Sequence, residues 1–238
     1  MSAFSFNTTA GASQSTSKPR LTGNDIYTVK FDGCEIVDIK GVKDPSITYK
    51  VLKLKFSNND GTFEHTIFEP KQSDFNRTES EFTKDGKVEK IPQASGVENM
   101  MLLFKHAIDA IAPKVGKQID DGSKNLGAPD WNSLRTLVAQ ILDSGKGNET
   151  KIKLMINNKG EAQFPGFFSG VSREGKAYIR NNFIGEKLAF STYELTRINN
   201  AASAKPTPMV SGINGSSPIN VPSTSKDPLD FSFEMPSL

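Results

Sequence analysis

Cysteine is nearly absent: Cys34 is the one thiol in 238 residues. That excludes an intramolecular disulfide and a cysteine-based metal site. It suits a reducing compartment, so the expectation is a cytoplasmic protein, in the host cytoplasm if the chain is viral. Histidine is almost as scarce. His65 and His106 fall in different stretches, and neither joins carboxylates at metal-ligand spacing. His106 reads as a partly exposed helix residue. No apolar run approaches the ~18 residues that a membrane span needs. With no signal-peptide pattern, the Asn-x-Ser/Thr sequons at Asn7, Asn76, Asn148 and Asn214 are read as chance. Net charge is only +2, which argues against binding acidic partners by bulk charge alone and leaves local patches open.

Catalytic patterns are missing too. No serine or cysteine sits in a nucleophile elbow. The stretch SGKGNET from Ser144 lacks the glycine a phosphate-binding loop needs five residues before Gly145, where Gln140 stands, and it precedes a strand instead of a helix. Asp120-Asp121 reads as a solvated loop. The expectation is no enzyme, no cofactor and no metal.

Hydrophobic residues make up 36% of the chain, and the deficit sits at its ends. Residues 1–20 are Ser, Thr, Ala, Gly and Asn, with almost nothing apolar after Phe6. Such a segment cannot bury enough surface to offset its ordering entropy, so a disordered tail is expected. Residues 201–226 are rich in Ser, Pro and Gly and read as a flexible linker. The tip, residues 227–238, is DPLDFSFEMPSL, where acidic and apolar side chains return.

Between the ends lie three blocks. In the first, DIYTVKFDGCEIVDI alternates Tyr27, Val29 and Phe31 against Thr28, Lys30 and Asp32. SITYKVLKLKFS alternates Leu52, Leu54 and Phe56 against Lys53 and Lys55. NNDG (58–61) turns the chain into TFEHTIF, which completes a three-stranded antiparallel meander. The second block is helical. Val97, Met100, Met101, Phe104, Ile108 and Ile111 keep helical spacing until Pro113 stops them. Trp131, Leu134, Leu137, Val138, Ile141 and Leu142 form a second stripe, with Asp130 as N-cap and Gly145 just past the end. The charged stretch 71–96 reads as a mobile loop. The third block returns to strands in TKIKLMIN, EAQFPGFF, KAYIRNNF and EKLAFSTYELTRI, with Asn157 to Gly160 as a hairpin turn.

Three-stranded blocks are marginal alone. One sheet that closes on itself is more economical. The expectation is a mainly β (α+β) domain over 21–200, an OB-like five-stranded barrel with a helical insertion at about 71–146 and disordered N- and C-terminal tails.

Alternate strand positions share a face. The face opposite Leu52 and Leu54 carries Tyr49, Val51, Lys53 and Lys55. The face opposite Ile152 and Leu154 carries Lys151 and Lys153, and one face of KAYIRNNF carries Lys176, Tyr178 and Arg180. Residues 151–199 hold eight Lys/Arg against four Glu. Cations follow phosphates and release counterions, and rings stack on bases, so this combination suits single-stranded nucleic acid. The competing reading is a solvated face, since lysine also guards strand edges. In FPGFF, Pro165 and Gly166 break a regular strand, so Phe167 or Phe168 is a candidate stacking ring; the alternative is that all three rings close one end of the barrel. At the tip, Asp227, Leu229, Asp230, Phe231, Phe233 and Glu234 suit a partner surface with basic pockets. They also suit competition with nucleic acid for the protein's own basic face.

The segments YKVLKLKF, KIKLMINNKGEAQFPGFF and DPLDFSFEMPSL together resemble the single-stranded DNA-binding proteins of bacteriophages and, more loosely, those of bacteria. That resemblance implies an OB fold with a disordered linker and an acidic, aromatic tip that recruits replication or recombination proteins. It implies coating of single-stranded DNA in replication, recombination or repair. Tyr49 and Tyr178 would stack on bases. Lys53, Lys55, Lys151, Lys153, Lys176 and Arg180 would hold phosphates. A virus-particle assembly protein without nucleic-acid activity is the alternative, and homo-oligomerisation is left open.

Overall fold

A computed structural model describes residues 18–41, 44–84, 86–166 and 168–203. Phe167 and the tip residues Asp227, Leu229, Asp230, Phe231, Phe233 and Glu234 lie outside them, as do most of the two expected tails. Among the described residues strand outweighs helix, 36% to 28%.

The first strand, β1 (Asp25–Lys40), pairs antiparallel with β2 (Thr48–Ser57), which pairs with β3 (Thr62–Phe68). The Asn58 carbonyl-side turn forms as expected, with Asn58 N–H donating to Gly61 O at 3.0 Å. At Gly33, whose φ is 120°, the pairing register shifts. This bulge explains how one 16-residue strand serves two partners. Its first half, Asp25 to Lys30, pairs with β6 (Glu149–Ile156), and its second half pairs with β2. The bulge also moves the inward parity from Val29 and Phe31 to Cys34, because one inserted residue exchanges the two faces. Beyond β6 lies the two-residue strand β7 (Ala162–Gln163), so the sheet order is β3-β2-β1-β6-β7. The sheet is a curled, antiparallel half-barrel. Its two ends approach through side chains: Phe63 of β3 lies 5.1 Å from Phe164, just past β7, and His65 lies 4.8 Å from the same ring.

Helices α1 (Gly96–Ile111) and α3 (Trp131–Asp143) cover the concave side. Phe31, Leu52, Leu54, Phe56 and Ile152 from the sheet meet Phe104, Ile108, Ile111 and Leu142 from the helices, all fully buried. Asp130 caps α3 as expected, accepting from Ser133 N–H at 2.9 Å. Ser95 caps α1 in a reciprocal box with Glu98, which satisfies two N–H groups that a bare helix end would leave open.

Three expectations need correction. The stretch 71–96 is not a structureless loop. It contains a 3-10 turn (Gln72–Phe75) and an exposed ribbon of β4 (Thr78–Lys84) and β5 (Lys87–Gln93). Pro113 does not simply end a helix; it opens α2 (Pro113–Asp120) from the N1 position, where a missing N–H costs nothing. And EKLAFSTYELTRI is not a strand, because its second half enters α4 (Thr192–Ser203). Ser191 and Glu194 box the start of that helix, with Ser191 N–H donating to Glu194 Oε2 at 2.7 Å. Finally, β8 (Ser169–Val171) and β9 (Ala177–Ile179) form a hairpin of their own outside the main sheet.

Candidate nucleic-acid interface

The expected cations and rings fall into three environments. The first is the outer face of the half-barrel. Register places Lys53 opposite Glu35 and Thr66, and Lys55 opposite Glu64. The lysines bridge diagonally, Lys53 to Glu64 at 2.9 Å and Lys55 to Glu35 at 2.5 Å. The short bond between the last two raises the Lys55 ammonium and holds the Glu35 carboxyl below the usual carboxylate range. These lysines are therefore matched by acids on either side. Beside them lie Tyr49, 36% exposed, and Phe68, 49% exposed, edge to face at 6.0 Å. Phe68 was not among the expected site residues. Val51 lies between these rings and the lysines on the same face and is fully buried there, outside the main core cluster.

The second environment overturns one expectation. Lys153 has the predicted outward parity on β6, yet it is 0% exposed. The chain after Phe183 folds over it. Lys153 N–H donates to Phe183 O, and its ammonium donates to Ala189 O at 2.9 Å and Glu194 Oε2 at 2.8 Å, with the Phe190 ring 5.7 Å away. An ammonium so enclosed does not reach a phosphate. Its neighbour Lys151 is half-buried, and its carbonyl accepts from Gly185 N–H at 2.9 Å.

The third environment is the β8–β9 hairpin. Lys176, Tyr178 and Arg180 are all exposed, Tyr178 at 43%. Tyr178 and Arg180 share a face over Gly170, where any Cβ would lie 2.9 Å from the Arg180 guanidinium and 3.1 Å from the Tyr178 ring. Glycine there lets the ring and the guanidinium lie flat on the partner strand. Arg173 sits in the connecting turn, which closes through Ser172 and Lys176 with Gly175 at φ 77°. Among the described residues Arg173, Lys176 and Arg180 have no acidic partner, unlike the β2 lysines. The hairpin is held from outside by Arg77, which donates to Gly175 O at 2.7 Å while its Nε donates to Glu98 at 2.9 Å. The expected single groove across three strands is therefore not what forms. The β2 and β9 groups occupy separate sheets, and only the β9 set is both exposed and unneutralised.

FPGFF divides. Phe164 is buried among Phe56, Phe63, His65 and Phe183. Phe168 is half-buried with its ring 4.7 Å from Phe183, packed against the edge of the core. The histidines are drawn inward as well. Burial among the rings pushes His65 down to about 4. His106, half-buried on α1 as expected, lies 5.2 Å from Phe183, and among the described residues its buried Nε2 has no partner. Among the described residues no group of three His, Cys, Asp or Glu is placed to hold a metal, and no helix is long and apolar enough to cross a membrane.

The chain matches no family model, no curated protein and no solved structure.

Proposed function

We propose that this protein binds and coats single-stranded DNA in phage-type replication, recombination or repair, without catalysing a reaction. The observation that carries the reading is the β9 face, an exposed tyrosine between two cations that have no acidic partner among the described residues. Such a face combines counterion release with base stacking and needs no particular sequence. The sheet supports it. Five antiparallel strands in the order β3-β2-β1-β6-β7, with helices inserted between the third and fourth strands of the sheet, suit an OB-type barrel that is partly open. In that fold the face of the second and third strands receives oligonucleotides. Tyr49 and Phe68 lie on that face here. The acidic, aromatic tip from Asp227 to Glu234 then recruits replication or recombination proteins.

The test is a fluorescence-anisotropy titration of a labelled oligo-dT at several salt concentrations, with wild type and Tyr178→Ala. Binding should weaken steeply as salt rises. Loss of one stacked base should cost about 1–3 kcal/mol, roughly 5- to 150-fold in affinity. Weak, salt-independent binding, or a Tyr178→Ala variant that binds like wild type, overturns the reading.

A further inference from the structure

β3 stands last in the sheet order, with β2 on one side only. The N–H and C=O of a strand residue point to the same side, and successive residues alternate. Thr62 points away from β2: its N–H donates to Pro19 O and its carbonyl accepts from Leu21 N–H, both at 2.8 Å. Glu69, of the other parity, donates back to Lys50 O of β2 at 3.2 Å. Glu64, Thr66 and Phe68 therefore aim their backbone groups outward, and among the described residues no backbone group meets them on that edge. The seam toward β7 is spanned by side chains, Phe164 against Phe63 and His65. Open edges are templates for another strand, and proteins commonly blunt them with lysine, proline or a bulge. TFEHTIF has no lysine and no proline, and it pairs with β2 without a register shift.

We propose that residues 229–235 of this same chain add to the β3 edge as a further strand of the sheet. The segment LDFSFEM lies outside the described residues, and its sequence alternates Leu229, Phe231, Phe233 and Met235 with Asp230, Ser232 and Glu234. Strict alternation of this kind is the pattern of a half-buried strand. Pro228 and Pro236 bracket it, so the run free to pair is as long as β3 itself. Its apolar side has a surface to cover. The cross-strand row Val37, Val51, Phe68 ends on a ring that is 49% exposed, with Tyr49 edge to face beside it. Phe164 already fills the core side of the seam, which leaves the Phe68 side for the incoming rings.

The tether reaches. Residues 204–226 join the segment to α4. A linker of that length spans about 24–29 Å as a flexible coil and up to about 75 Å when extended. α4 starts close to the seam: Glu194 holds Lys153, Lys153 N–H donates to Phe183 O, and the Phe183 ring lies 4.9 Å from Phe164. Tethering at this range gives an effective concentration on the order of millimolar, so even weak strand pairing is populated. The DNA contacts proposed at Tyr178 lie on a separate sheet, and this inference does not depend on them.

The experiment is amide hydrogen exchange of the full chain, resolved to single residues by NMR, for wild type and Phe231→Ser/Phe233→Ser. The amides of Glu64, Thr66 and Phe68 should exchange about tenfold slower in wild type, the factor for an edge covered about nine-tenths of the time. The amides of Phe63, His65 and Ile67, which point to β2, should not change, and this shows the variant folded. Thr66→Pro tests the other side. It removes one outward N–H and no bond to β2, and it should speed exchange at Phe231 to Phe233 by a similar factor. Equal exchange at the edge in wild type and the tip variant overturns the proposal. Edge protection that rises with protein concentration and accompanies a dimer on gel filtration assigns the edge to a second copy and overturns it as well.

Discussion

Lys153 offers the sharpest test of how the exposed face was built. On sequence parity it belongs with the phosphate contacts, yet it lies fully enclosed and ion-paired with Glu194 at 2.8 Å. Replacing it with Met removes the ammonium that pairs with a carboxylate itself 5% exposed. Breaking a buried pair from one side leaves an uncompensated charge and costs about 3–5 kcal/mol. For a chain of this size each kcal/mol moves the melting point by roughly 2–4 °C, so the variant should melt about 6–20 °C lower. Adding Glu194→Gln removes the stranded charge and keeps an acceptor for Ser191 N–H. The double variant should recover most of the loss, because exchanging both members of a buried pair is often close to neutral. Urea melts of the two single variants and the double variant close the cycle, with a coupling of more than about 1 kcal/mol expected for groups in contact. DNA affinity should fall only as far as unfolding lowers the active fraction. A Lys153→Met variant that melts with wild type and binds DNA with a shallower salt slope would refute the burial, and the outward reading of β6 would stand.

The remaining predictions concern charge, pH and packing. Lys176→Ala/Arg180→Ala should reduce the slope of log affinity against log salt by about 1.4, at ~0.7 per phosphate contact on a single strand. Lys53→Ala/Lys55→Ala should change it less, because Glu64 and Glu35 already hold those ammoniums. Burial holds His65 near 4 in the folded chain against 6.5 when free, so the unfolded state binds more protons between those values. Stability should therefore be full above about pH 6.5 and fall by up to about 3 kcal/mol as pH drops to about 4, and His65→Phe should flatten that part of the urea-midpoint profile. Gly145 lies against the backbone carbonyl of Ile111 with no room for a Cβ. Gly145→Ala should force the ends of α1 and α3 apart and lower the melting point by several degrees in a calorimetric scan, while Gly86→Ala, in open space but at φ 74°, should cost only about 1 kcal/mol.

What could be read from the chain was whatever showed period 2 or 3.6 against a core. β1, β2, β3, β6, α1 and α3 each bury one face, and the alternation of Leu52, Leu54 and Phe56 or the stripe from Trp131 to Leu142 announces it. β4 and β5 were hidden because their ribbon is exposed along nearly its whole length, so no apolar alternation marks it. The two missed helices had signals that apolar content obscured: Pro113 as a first residue, and the box Ser191-Thr192-Tyr193-Glu194, a serine three residues before a glutamate. Phe68 was within reach as well. Counting outward from the turn at Asn58 to Gly61 pairs Val51 with Phe68, which puts that ring on the Tyr49 face. The fate of Lys153 had no local sign. Its cover arrives from residues some thirty to forty positions later, and strand parity says which way a side chain points without saying what lands on it.

Arg77 has a consequence for anyone who would shorten this molecule. It belongs to the stretch between the third and fourth strands of the sheet, grips Glu98 at the start of α1, and also holds the turn of the β8–β9 hairpin nearly a hundred residues downstream. A version trimmed of residues 77–93, attractive because the β4–β5 ribbon is exposed, would remove the strut as well as the ribbon. The tyrosine-bearing finger would be left hinged at one end, and a loss of grip in that version would say nothing about whether the finger touches DNA.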